Sequence, residues 1–216
     1  MTVLPVYLVV DTSYSLVTEL DAISKAILDL VNFLDSDPAL SDNLLLSVIS
    51  FSDDARVVVP LAPPSALVDR MPLLTASGGT NYGAALRLLR QVIQRDIGDL
   101  KTGGQGVYRP VAFFITDGSP TDADWQDALG ELRSPEFSYS PTVLAIGFEA
   151  ADPSVLREIA GERGEAFVLA TSMSPNEAVG SIFVGVRGAL GSTIESTTSG
   201  RRGLGIAVPI DWIHLA

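Results

Sequence analysis

Asp11, Ser13 and Ser15 stand at alternate positions in "YLVVDTSYSL" (7–16), directly after an apolar run. Thr80 lies in "SGGTNYG" and Asp117 in "FFITDGSPTD". These five side chains offer carboxylate and hydroxyl oxygens, with no imidazole and no thiolate among them. An all-oxygen set suits a hard divalent cation such as Mg²⁺, Mn²⁺ or Ca²⁺. Side chains two apart in an extended or turning segment project the same way, so Ser13 and Ser15 can face one ion. Two carboxylates and three hydroxyls neither fill nor neutralise the shell of an ion that takes six ligands; waters or a partner's carboxylate complete it. The plainer alternatives are local. Asp11 can cap a turn, Ser13 and Ser15 the helix that follows, Thr80 a second helix, and Asp117-Gly118 can form a turn.

The elements that position these residues are legible as alternating apolar runs and helical patterns. A buried strand is expected over 6–10. A helix follows over 18–34, with Leu20, Ile23, Ile27, Leu30 and Leu34 at helical spacing. Segments 44–51 and 55–61 flank Ser-Asp-Asp and read as a hairpin, with Asp53 and Asp54 serving its turn. A Gly turn leads into a helix over 78–97. Strands are expected over 110–116, 142–148 and 165–170, and helices over 121–132, 152–161 and 174–190. Thr121 is the expected N-cap of its helix, with Asp122 and Asp124 favouring the same terminus. This order implies an α/β fold: a doubly wound, Rossmann-like, mostly parallel six-stranded sheet with one antiparallel edge strand and helices on both faces. In such sheets ligands bind beyond the carboxyl ends of the strands, where Asp11, Thr80 and Asp117 all fall. The first strand and the strand over 110–116 are expected neighbours at the switch point.

Residues 1–190 read as one domain. Residues 191–216 open with a Ser/Thr/Gly-rich stretch and end apolar, as a tail or as an arm packing back on the domain as an extra strand.

Composition narrows the function. Of 216 residues, 47% are hydrophobic and 19% charged, which fits a globular chain with a large core. Acidic residues outnumber basic ones 26 to 14, for a net charge of −12, and this argues against nucleic acid as a partner. There is no cysteine, so disulfides, thiolate nucleophiles and Cys-based metal sites are excluded. The start lacks a basic leader, and no apolar run nears the ~18 residues of a membrane span, so neither export nor a membrane is expected and the location is read as cytoplasmic. The enzyme signatures fail residue by residue. A haloacid-dehalogenase-type phosphatase needs a second Asp where Ser13 stands, no G-x-x-x-x-G-K-[ST] or G-x-S-x-G string occurs, and His214 is the only histidine.

Asp-x-Ser-x-Ser, the distant Thr in "GGTN" and the Asp in "TDG" together resemble the metal-ion-dependent adhesion site of von Willebrand factor type A domains. "VISFSDDARVVVPL" resembles that family's second and third strands, and the likeness runs in order over roughly residues 5 to 190. "TDGSPTDADW" is most similar to small bacterial members associated with tellurium resistance and stress response. The resemblance implies a role for each residue. Ser13 and Ser15 coordinate through their hydroxyls, Thr80 binds directly or through water, and Asp11 and Asp117 act largely through bridging waters. It also implies the function: a non-catalytic, cation-dependent protein-interaction module whose open position takes a Glu or Asp of a partner protein. The chain departs from the family at Tyr14, where Gly is common. The competing readings are a metal-dependent hydrolase or phosphatase of unrecognised type and a metal-free structural subunit.

Overall fold

The computed structural model describes residues 2–68, 70, 73–148, 151–169, 177, 180–181, 183–188, 190 and 212–215. Its centre is β1 (Thr2–Asp11), whose residues from Val3 onward are all buried. Alternate side chains serve opposite faces of the strand. Val6, Leu8 and Val10 point into one apolar core, Tyr7 and Val9 into the other. A strand covered on both faces has no use for polar alternation, which is why this run reads as continuously apolar.

The remaining strands are β2 (Leu44–Phe51), β3 (Ala55–Ala62), the two-residue β4 (Gly106–Val107), β5 (Val111–Thr116), β6 (Thr142–Gly147), β7 (Glu165–Leu169) and β8 (Trp212–His214). Their spatial order is β3-β2-β1-β5-β6-β7-β8, with β4 pairing β1 off this path. β1 runs parallel to both β2 and β5, so the order reverses there and leaves a crevice at the strands' carboxyl ends. β3 is antiparallel to β2, and β8 is antiparallel to β7. The doubly wound α/β expectation holds, but the sheet has eight strands where six were expected, the short β4 and β8 being the additions. Antiparallel strands close the sheet at both edges, because a segment of the last residues returns to β7.

The helices are α1 (Leu20–Ser36), the short α2 (Pro38–Asn43), α3 (Tyr82–Thr102), α4 (Trp125–Arg133) and α5 (Pro153–Ala160). α1 packs Ile23, Ile27, Leu30, Val31 and Leu34 on one face of the sheet, alongside Phe183, Val186 and Leu190. Residues 180–181 and 183–188 are helical, inside the span expected for the last helix. α3, α4 and α5 cover the other face through residues such as Leu86, Ile93, Leu129 and Ile159. α4 begins at Trp125, four residues after Thr121. Thr121 is therefore not its N-cap, and the residues from Asp117 to Asp124 form a loop with other duties. Residues 191–216, read as a tail or an arm, lie outside the described residues except for 212–215, where Trp212–His214 form β8. Among the described residues no helix is long and apolar enough to cross a membrane.

Candidate metal centre

Asp11 ends β1 and is fully buried. Its Oδ1 accepts the N–H of Ser13 at 2.8 Å and its Oδ2 accepts the hydroxyl of Thr116 at 2.6 Å. Burial pushes this carboxyl up from its ordinary value, and the hydrogen bonds from Thr116 and Ser13 offset that only in part. All these donors are neutral. A buried carboxylate surrounded by neutral donors is stabilised by any positive charge that reaches it.

Ser13 precedes and Ser15 lies within a short 3₁₀ turn, Tyr14–Leu16. Their hydroxyl oxygens lie 3.0 Å apart, and Ser15 donates to Asp117 Oδ1, also at 3.0 Å. Ser13, Ser15 and Asp117 thus form a continuous row of oxygens across the β1–β5 crevice. The capping alternative fails for both serines. The side chain of Ser13 makes no capping bond to the turn it precedes, and the N-cap position of α1 is held by Glu19, without a side-chain cap.

Thr80 is buried, and its hydroxyl faces the turn after β5: a Cβ placed on Gly118 would lie 3.6 Å from Thr80 Oγ1. The N-cap of the following helix is Asn81, so Thr80 is spared from capping. The backbone of Thr80 is clamped to Thr121, whose Oγ1 accepts the Thr80 N–H at 3.2 Å and whose N–H reaches Thr80 O at 3.0 Å. Asn81 caps α3 by accepting from the Ala84 N–H at 2.8 Å. Asp122 also caps α3, not its own helix: it accepts the N–H groups of Tyr82 at 2.8 Å and Gly83 at 2.9 Å. Asp124 makes no side-chain cap and instead meets Arg87 at 2.7 Å. Asp53 reaches beyond its hairpin and accepts the Gly79 N–H at 2.7 Å. Its carboxylate occupies the space a side chain on Gly78 would need, and Gly78 sits at φ 58°, where glycine is favoured.

Two further residues belong to the site that spacing did not single out. Thr116 holds Asp11, and Tyr82 places its hydroxyl 3.2 Å from Thr116 Oγ1 while donating to Gly118 O at 2.8 Å. The only signal was a polar residue closing an otherwise apolar strand; Tyr82 reads as an ordinary core aromatic.

Among the described residues no group of three or more His, Cys, Asp or Glu side chains gathers to hold a metal. The donors that converge are hydroxyls with one carboxylate in the row and one buried behind it. Such a set fits a hard divalent cation that keeps water or an outside carboxylate in its shell.

The sequence profile of the von Willebrand factor type A domain matches residues 6–183. No curated protein sequence matches the chain. Among solved structures the fold is similar to a von Willebrand factor type A protein from Catenulispora acidiphila, at 21% identity and TM-score 0.67, covering 88% of this chain and 43% of that one. It is similar to the pilus adhesin SpaC from Lactobacillus rhamnosus GG, at 16% identity and TM-score 0.66, covering 90% and 31%. It is also similar to proximal thread matrix protein 1 from the mussel byssus, in a structure with a zinc-occupied MIDAS motif, at 17% identity and TM-score 0.61, covering 88% and 48%. The chain spans less than half the length of each of these structures. A profile match over most of the chain, on a sheet of this order, establishes that the chain belongs to the von Willebrand factor type A family.

Proposed function

We propose that this domain is a divalent-cation-dependent protein-interaction module, with Asp11, Ser13, Ser15, Thr80 and Asp117 as its metal site. The observation that carries this reading is the row of Ser13, Ser15 and Asp117 oxygens at 3.0 Å spacing, its two serines not used as helix caps, backed by the buried Asp11. Ser13 and Ser15 supply hydroxyl ligands. Thr80 supplies a third, directly or through water. Asp117 accepts from Ser15 and fixes its orientation, while Asp11 brings negative charge from behind and holds the Ser13 backbone. When bound, the cation supplies a positive centre to which a carboxylate oxygen can coordinate. A Glu or Asp from a partner protein then completes the shell, so the contact forms only with the ion present. The work of the site is binding and not turnover. Mg²⁺, Mn²⁺ and Ca²⁺ all suit the donors, and the zinc-bearing mussel protein adds Zn²⁺ to the ions worth testing. On the likeness of "TDGSPTDADW" to small bacterial members, we assign the module to a cytoplasmic tellurium-resistance or stress-response system.

The test is thermal unfolding with each ion and with chelator, for the wild type, Ser13→Ala and Asp117→Ala. An ion at 100 times its dissociation constant adds about 2.7 kcal/mol. For a chain of this size that is roughly 5 to 10 °C. The reading requires a rise in the wild type that both variants lose. No rise with any ion, or an equal rise in all three proteins, overturns it.

A further inference from the structure

We propose that the metal centre reads a partner segment of divided character: one Asp or Glu with a large apolar residue on one side and a Lys or Arg on the other. This rests on the reading of the site as one that takes a partner's carboxylate.

The rim of the site is split by Gly78. On one side is Tyr14, set between the two serines, its N–H donating to Gly78 O at 3.2 Å. The Tyr14 side chain is 66% exposed, and Val17, one turn on, is 59% exposed. Of that turn only Leu16 is buried, in the core beside α1. Large apolar side chains left in water beside a polar site mark a contact surface, and tyrosine in particular offers rigid apolar area at low entropic cost. A chain that delivers a carboxylate to the Ser13–Ser15 row must bring its neighbouring residues past this ring.

On the other side of Gly78 is Asp53, bonded to the Gly79 N–H and packed against Gly78 itself. Asp54 follows and is exposed. The nearest cation along the chain, Arg56, is turned to Ser50 and Thr75. The rim is therefore apolar at Tyr14, with exposed Val17 one turn on, and acidic at Asp53, with exposed Asp54 next in the chain. A chain of net charge −12 also repels a generally acidic partner. A carboxylate gains entry when it is solitary, with a cation beside it to meet the Asp53–Asp54 side.

The test uses immobilised nonapeptides in a Gly/Ser background, with a central Glu or Gln. Each carries a flanking Leu, a flanking Lys, both on opposite sides in either order, or neither. The wild type, Tyr14→Ser/Val17→Ser and Asp54→Lys are applied in Mg²⁺ and in chelator, and the cation-induced melting shift of each protein is recorded in parallel. In Mg²⁺ the Leu-Glu-Lys type is expected to hold about tenfold more wild-type protein than Glu alone, with Gln peptides and chelator abolishing retention. Tyr14→Ser/Val17→Ser should lose the Leu preference and Asp54→Lys the Lys preference, each with its melting shift intact. Equal, Mg²⁺-dependent retention of all Glu peptides overturns the divided rim and leaves the carboxylate reading standing. A melting shift with no peptide retained overturns the divided rim while leaving cation binding intact. No melting shift in the wild type overturns the reading on which the inference rests.

Discussion

Thr116 spends its one hydroxyl hydrogen on Asp11, at 2.6 Å, so toward its other neighbours it can only accept. Gly118 N–H supplies one such bond at 3.3 Å, and Tyr82 has a single hydrogen to divide between Thr116 and the closer Gly118 O. Burial pushes the Tyr82 phenol well above its usual range, so it stays a donor. Two neutral hydroxyls thus tie the strand bearing Asp11 to the turn bearing Asp117. Tyr82→Phe is expected to weaken Mg²⁺ binding about tenfold while costing about 1 kcal/mol of stability. Thr116→Val should weaken binding further and Thr116→Ser restore it; titration calorimetry compares the three. Asp11 gives a second prediction. A carboxyl whose folded-state pKa is raised binds its proton more tightly folded than unfolded, so stability falls as pH climbs from the ordinary carboxylate range through the raised value. Above the ordinary carboxylate range, in chelator, Asp11 then carries a cost that Asn lacks. Asp11→Asn should melt higher than the wild type in chelator and show no response to Mg²⁺. A lower melting point in chelator would mean that its hydrogen bonds outweigh its burial.

The start of α3 depends on a loop from elsewhere in the chain. Thr121 grips the backbone of Thr80 and Asp122 caps two N–H groups of the helix, so the loop after β5 carries Asp117 and also sets where Thr80 stands. Asp122→Ala is expected to cost about 1 to 2 kcal/mol through the lost caps and to weaken cation binding by loosening Thr80. Asp124→Ala, next door, removes only an exposed contact to Arg87 and should leave both unchanged. Thermal unfolding of the two variants side by side distinguishes them. The same loop shows where the sequence was legible and where it was not. Apolar runs located β1, β2, β5 and β6 within a few residues, because strands covered on both faces leave an unbroken signal. Asp-x-Ser-x-Ser and the distant Thr80 and Asp117 were legible because side-chain alternation and strand-end position are local properties. The caps were not. Capping rules look three residues ahead, whereas Asp122 caps a helix that begins 40 residues before it. Tyr82, packed edge-on against Phe51, Phe114 and Trp125, carries the signature of a core aromatic and hides its polar end.

At the scale of the whole molecule, the sheet is finished at both edges by antiparallel strands, and β8 is the more tenuous, with three residues on β7. His214 lies with its ring 5.3 Å from that of Phe167 and its Nε2 3.8 Å from Glu165. Removing 212–216 leaves the outer edge of β7 unpaired, and an open edge recruits other strands. The truncated protein is expected to melt lower and to elute partly as larger species on size exclusion. Its Mg²⁺-induced melting shift should survive, because β8 lies four strands from β1 in the sheet. The direction of β8 has one more effect. β1 starts, at Thr2, at the end of the sheet away from the metal centre, and β8, antiparallel to β7, carries the chain back toward that same end. Thr2 and His214 therefore both lie toward the side opposite the site. A domain tethered to a surface through a group attached at either of these two positions presents the same face outward, and a partner should associate with it equally fast in both orientations.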